Sequence, residues 1–227
     1  MLDSTALFLV PTPIGNLADM TFRAIDVLKS VDLILAEDTR TSGILLKHYE
    51  ISTPMMSFHA YNEHKQTNII IKKLEEGIKI ALISDAGSPG ISDPGYLLAK
   101  GALDANLQIE ALPGPTALIP ALIKSGLPNN QFVFEGFLPQ KKGRSSKISS
   151  LKNEKRTLIF YESPHRILKT LIQFEAAYGK DRQVSVSREL SKRFEQTING
   201  PLSSVRAHFE NNKPKGEFVI VLSGNPI

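Results

Sequence analysis

The sequence predicts an α/β protein of two domains: a mainly parallel-sheet domain over residues 1–127 and a mixed-sheet α+β domain over 128–227. Three observations predict it. In the first half, short apolar runs alternate with stretches of helical periodicity. Most of those runs end in a turn rich in glycine and proline. Past residue 128 the texture changes to aromatic and β-branched runs with fewer helices between them. A chain of 227 residues, 41% hydrophobic and 22% charged, buries two compact halves without staples.

The elements follow in order. Residues 7–10 form a first strand leading into Pro11-Thr12-Pro13-Ile14-Gly15-Asn16. A helix from about Thr21 carries Phe22, Ile25 and Leu28 on one face. Residues 32–36 form a strand that runs into Glu37-Asp38-Thr39-Arg40. Residues 62–76 read as a charged amphipathic helix, with Gly77 as its stop. Strands at 80–84 and 107–112 run into 85–95 and into Pro113-Gly114-Pro115, and a helix starts at Thr116. After a linker near 127–130, strands are expected at 132–137, 157–161, 184–187 and 217–222. Two helices are expected between them, near 144–151 and 164–178.

Composition excludes several chemistries. With no cysteine, disulfides, thiolate nucleophiles and thiolate zinc sites are out, which favours a cytoplasmic protein. The five histidines, His48, His59, His64, His165 and His208, lack the spacing of a helical metal site and read as surface or core residues. No metal is expected. The amino terminus lacks a basic segment before its apolar run and reads as a first strand rather than a signal peptide. Charge is uneven. Up to Asn130 there are 10 Lys/Arg against 14 Asp/Glu, and from Gln131 onward 17 against 9. That contrast fits a small-molecule pocket joined to a surface for a polyanion.

In open parallel sheets, ligands sit beyond the carboxyl ends of the strands. Three Gly/Pro loops fall there, at 12–16, 85–95 and 113–117. No phosphate-loop or dinucleotide fingerprint is present. Glu37, Asp38 and Arg40 put two carboxylates and a guanidinium at a strand end, either for chemistry or as an ion pair beside a helix cap at Thr41 or Ser42. Lys141, Lys142, Arg144 and Lys147 form a basic loop suited to phosphates.

Six stretches, VPTPIGNLADMTFRAIDVLKSVDLILAEDTR, ALISDAGSPGISDPG, LPGPTALIPALIKSGLP, FVFEGFLPQKKGR, TLIFYESPHRIL and SRELSKRFEQ, stand in one order. Together they resemble the ribosomal RNA small subunit methyltransferase I family, within the tetrapyrrole methylases. The resemblance implies a tetrapyrrole-methylase-like fold with S-adenosylmethionine in the cleft between the domains, and a homodimer. It further implies 2′-O-methylation of a cytidine in the decoding (P-site) region of 16S rRNA in the small ribosomal subunit. Carried over by motif, it assigns cofactor contacts to Pro13, Gly15, Asp85, Ala86, Gly87, Pro89, Ile91, Thr116, Ala117, Tyr161, Glu162, Lys215 and Gly216.

With that chemistry, Glu37 or Asp38 is the expected base, Arg40 its orienting partner and Asn16 a ribose contact. Arg166, Arg188 and Lys192 join Lys141, Lys142 and Arg144 as expected RNA contacts. Three departures stand out. Ser88 and Gly90 occupy positions where the family more often has Thr and Leu, and Gln196 one where Glu is common. Many members also continue past the final strand, whereas this sequence reaches Ile227, which puts more of the RNA contact on the basic half. Two competing readings are a methylase of a tetrapyrrole or other small substrate, and an RNA-binding assembly factor without chemistry.

Overall fold

The computed structural model describes residues 5–225, so the outermost ends of the two expected domains lie outside the described residues. The chain divides between Thr116 and Ala117 into two compact units, rather than near 127–130. The helix after the third Gly/Pro loop explains the difference, because it packs on the strands of the second unit.

The first unit holds β1 (Leu7–Leu9), α1 (Phe22–Ser30), β2 (Leu33–Ala36), α2 (Thr39–His48) and β3 (Met55–Ser57). It continues with α3 (Glu63–Glu75), β4 (Ile80–Ile83), α4 (Tyr96–Asp104) and β5 (Ile109–Ala111). The five strands form one sheet in the order β3-β2-β4-β1-β5, and all four pairings are parallel. Such sheets are covered on both faces, which is why β4 reads as an unbroken apolar run, Ile80 to Ile83, with every residue buried.

Alternation along the strands sorts the core into two layers. Phe8, Ile34, Ala36, Ala81 and Ile83 pack with Ala24, Val27 and Leu28 of α1 and Leu46 of α2. Leu7, Leu35, Ile80 and Leu82 pack on the other face with Ile70 and Leu74 of α3 and Leu98 and Ala102 of α4. The chain therefore leaves β1 toward one face and β4 toward the other. Since β1 and β4 are neighbours, the topological switch point lies between them.

The second unit holds α5 (Leu118–Ser125), β6 (Phe132–Phe137), α6 (Arg144–Ser150), β7 (Thr157–Glu162) and α7 (Ile167–Tyr178). It ends with β8 (Gln183–Arg188), β9 (Gln196–Pro201), α8 (Leu202–Asn211) and β10 (Phe218–Leu222). Its sheet runs β6-β7-β10-β8-β9, with β6 parallel to β7 and the other three pairings antiparallel. This is the expected mixed sheet. One face packs Phe160, Val186, Phe218 and Ile220 against Leu171 and Phe174 of α7 and Val205 and Phe209 of α8. On α5, Ala121 and Leu122 are buried, and the helix packs against β8 and β10.

Four elements have no counterpart among those expected from the sequence: β3, α4, β9 and α8. Phe174 is fully buried against Phe160, with ring centroids 5.0 Å apart. Phe174→Ala is expected to destabilise the second unit by about 3–5 kcal/mol, read as a lower urea midpoint by circular dichroism.

Candidate active site

Three loops of the first unit interlock at the switch point. Thr12 and Gly87 exchange two backbone hydrogen bonds of 2.9 Å, an antiparallel bridge between the loops that leave β1 and β4. The buried Thr12 hydroxyl donates to the Ser84 carbonyl at 3.0 Å. The loop after β5 joins through Ser88, whose hydroxyl donates to the Pro115 carbonyl at 3.3 Å. It also passes close to the first loop: a Cβ on Gly114 would lie 2.8 Å from Pro11 Cβ, so only glycine fits there. At the far end of the β4 loop, Glu63 of α3 accepts from the Gly95 and Leu97 amides, fixing the start of α4.

A cavity of about 220 Å³ opens on these loops, lined by Thr12, Pro13, Gly15, Ser84 and Asp85 together with Thr41, Ser42 and Leu45 of α2. The expected loop residues Pro13, Gly15 and Asp85 therefore converge on one cavity. Gly87 and Pro89 are buried beneath the loop surface, while Ala86 and Ile91 are exposed on it. Thr116 and Ala117 are partly buried where the two units join in sequence, and the Ala117 carbonyl accepts from Ala121 in the first turn of α5. Asn16 caps a short 3-10 turn at Leu17–Asp19, its side chain accepting from the Ala18 amide.

The two neighbouring carboxylates behave differently. Asp38 is the N-cap of α2, in place of the cap expected at Thr41 or Ser42, and accepts from the Arg40 amide at 2.9 Å. Arg40 also grips it through Nε at 3.0 Å and Nη2 at 2.6 Å. Those hydrogen bonds hold the Asp38 carboxyl down at about 2. Glu37 is half-buried, and burial pushes its carboxyl up from the ordinary value. The charge of Asp85 adds to the rise; a hydrogen bond from the Asp85 backbone and the nearby His59 oppose it. Partial burial likewise raises Asp85, whose carboxylate accepts from the Asp38 amide at 3.1 Å.

The sequence reads His59 only as a surface or core residue. It lies just past β3, and its Nδ1 is buried without a partner among the described residues. The signal that would have found it is β3 itself, because a strand at 55–57 puts His59 at the same sheet edge as Glu37 and Asp85.

In the second unit, three of the expected contacts are structural. Arg144, expected to face RNA, is only 3% exposed. Its guanidinium donates to Gln173 at 2.8 Å, to the Pro139 carbonyl at 3.2 Å, to Thr170, and to Glu162 at 3.4 Å. Arg166 pairs with the other Glu162 oxygen at 2.9 Å and reaches the Leu138 carbonyl at 3.4 Å. Glu162, assigned to the cofactor, is 2% exposed and spends both oxygens inside this cluster. The cluster fastens the loop whose Lys141 and Lys142 are exposed.

Tyr161 stacks edge-on between Phe134 and Phe137. Lys192 is held by Glu189 at 3.0 Å and Glu217 at 2.8 Å. Arg188 is half-buried, with its Nε unpartnered among the described residues. Lys215 is exposed, and Gly216 lies against Glu189. Among the described residues no group of three or more His, Asp or Glu is placed to hold a metal ion, and no helix is long and apolar enough to cross a membrane.

Residues 6–206 match the family model of the tetrapyrrole (corrin/porphyrin) methylases. The ribosomal RNA small subunit methyltransferase I of Synechocystis is 51% identical, the alignment covering 96% of this chain and 78% of the relative. Its namesake from Thermotoga maritima is 46% identical, with 96% of this chain and 98% of the relative covered. The chain belongs to the ribosomal RNA small subunit methyltransferase I family of tetrapyrrole methylases. It is a methyltransferase by that membership. The fold is shared more widely still. Diphthine synthase superposes with a TM-score of 0.74 at 11% identity, over 96% of this chain and 90% of that one. The uroporphyrin-III-C-methyltransferase of Thermus thermophilus gives 0.66 at 18% identity, over 97% and 94%.

In this methyltransferase, Arg144 and Glu162 form a buried pair whose loss leaves an uncompensated charge. Arg144→Ala is expected to cost about 3–5 kcal/mol in urea unfolding, with Lys142→Ala close to the parent protein.

Proposed function

We propose that the protein methylates ribosomal RNA of the small subunit with S-adenosylmethionine, at the 2′-oxygen of a cytidine in the decoding (P-site) region of 16S rRNA. The observation that carries the reading is the half-buried Glu37 past the end of β2, beside Asp85, which lines the cavity with Pro13, Gly15 and residues of α2. A hydroxyl acceptor needs a base in place, and the rRNA substrate comes from the near full-length relatives that carry that name. The same reading makes the protein a cytoplasmic homodimer.

The residues present fit the cofactor. Pro13, Gly15 and Asp85 border the cavity, and Gly114 leaves no room for a side chain that would separate the first and third loops. Ala86, Ile91, Thr116 and Ala117 complete the loop contacts, and the buried Gly87 and Pro89 shape the loop beneath them. Bound there, S-adenosylmethionine supplies an electrophilic methyl group. The protein's part is alignment and proton management.

With the cofactor bound, Glu37 would accept the 2′-hydroxyl proton as the ribose oxygen takes the methyl carbon, whose bond to sulfur breaks and leaves its electron pair on the neutral thioether. Its raised pKa makes it a stronger base than an ordinary glutamate. Asp38, held at about 2 by Arg40, is a weak base and instead fixes the start of α2. Asn16 contacts the ribose, and exposed Lys141 and Lys142 meet phosphates. Arg188 offsets negative charge at the substrate.

The testing experiment is methyl transfer from labelled S-adenosylmethionine to small subunits that lack the modification, with naked 16S rRNA alongside. Label at one decoding-region ribose supports the reading; cofactor binding without label in either RNA sample sinks it. Glu37→Gln should lower kcat by about 100-fold or more with cofactor affinity retained. Asp38→Asn keeps a capping acceptor and should stay within a few-fold of the parent. The base must be ionised, so kcat should fall on the acid side at a pH above that of an unperturbed glutamate. Gly114→Ala should weaken cofactor binding at least roughly ten-fold by calorimetry, because the first loop must move.

A further inference from the structure

The loop between β8 and β9 is built with more constraint than a connection requires. Two of its non-glycine residues, Glu189 and Ser191, hold positive φ of 51° and 64°, a conformation that persists only when its surroundings impose it. Those surroundings are on hand. The Glu189 amide donates to the Glu217 carbonyl at 3.0 Å, and its carboxylate accepts from the Glu217 amide at 3.0 Å. Lys192 bridges Glu189 and Glu217. A Cβ at Gly216 would lie 2.4 Å from the Glu189 side chain, so that glycine is what admits it. At the other end Glu195 accepts from the Ser191 amide at 2.8 Å and pairs with Lys124 of α5.

All this fixes two residues that nothing within the described part of the unit uses. Phe194 is 65% exposed, and Arg193 makes no ion pair among the described residues. The Arg193 guanidinium lies over the Phe194 ring, 5.6 Å from its centroid. One face of the ring is thus backed by a cation while the side chain stays largely open to solvent. An aromatic face with a neighbouring guanidinium is what unpaired nucleotides use: the base stacks, and the phosphate meets the charge.

We propose that Phe194 and Arg193 form a stacking site for one unpaired nucleotide of the RNA substrate, the base lying on Phe194 and its phosphate at Arg193. This rests on RNA being the substrate. The net charge of this half, 17 Lys/Arg against 9 Asp/Glu from Gln131 onward, favours a polyanion over a second copy of the chain. The site is distinct from the basic loop at Lys141 and Lys142, since it reads a base face rather than backbone charge alone.

The chain has no tryptophan, so Phe194→Trp introduces a single reporter at the site. Its fluorescence should be quenched by a single-stranded RNA oligonucleotide and unaffected by inorganic phosphate. In steady-state methylation of small subunits, Phe194→Ala should raise KM for the subunit roughly ten-fold or more, with kcat and cofactor affinity little changed. Phe194→Trp should keep the parent KM, Phe194→Leu should not, and Arg193→Ala should raise KM and flatten its salt dependence.

An unchanged KM for Phe194→Ala, or full rescue by leucine, overturns the stacking site while methylation by the parent protein leaves the proposed function standing. Conversion of a dimer to a monomer by Phe194→Ala in sedimentation, with KM unchanged, assigns the residue to a second copy and also overturns it. Failure of the parent protein to methylate either RNA removes both readings together.

Discussion

The first unit depends on the pair of hydrogen bonds between Thr12 and Gly87. β1 and β4 run parallel, yet the segments that leave them pair antiparallel, because the chain after Ser84 turns back on itself. A parallel sheet alone opens a crevice between those strands and leaves their ends free. The bridge closes its floor, and each net hydrogen bond is worth only about 1 kcal/mol. Its effect is geometric: with Thr12 and Gly87 fixed, Pro13 and Gly15 face Asp85 over one cavity. The Pro11–Gly114 approach then brings in the third loop.

The same sheet edge separates two carboxylates adjacent in sequence. Asp38 faces the guanidinium two residues on and is held strongly acidic, whereas Glu37 points into a partly dry site with Asp85 as its neighbour. Opposite shifts in adjacent residues come from the turn out of β2 into α2, which sends consecutive side chains into different media. A helix cap and a candidate base are thus made from one dipeptide, and the cap orients the base by fixing the backbone that follows it.

Much of this was legible from the amino acids. β1, β4 and β6 are apolar runs bounded by turn residues, and their limits were found to within a residue or so. The three Gly/Pro loops stand at strand ends, so their convergence follows from topology alone. What escaped did so for physical reasons. β3 has three residues after Pro54, too short for a period to declare itself, and with it went His59. β9, Gln196–Pro201, is a polar edge strand containing Asn199 and Gly200, and it pairs on one side only. α4 carries Gly101 inside it, which lowers helix propensity and is compensated by packing against Ile71 and Thr67 of α3. The charge pattern also misplaced Arg144, because sequence shows that a residue is cationic but not that four partners await it in the core.

The buried Glu162 has a bearing on how such a protein diversifies. Its two oxygens are divided between Arg144 and Arg166, and each arginine also reaches a carbonyl of the loop after β6. A neutral residue at 162 would strand two cations at once, and an altered arginine would strand the acid. Positions 144, 162 and 166 are therefore energetically coupled. The exposed lysines of the loop they fasten carry no such constraint, so the charge of that surface can be retuned by single steps around an anchor that single steps disrupt.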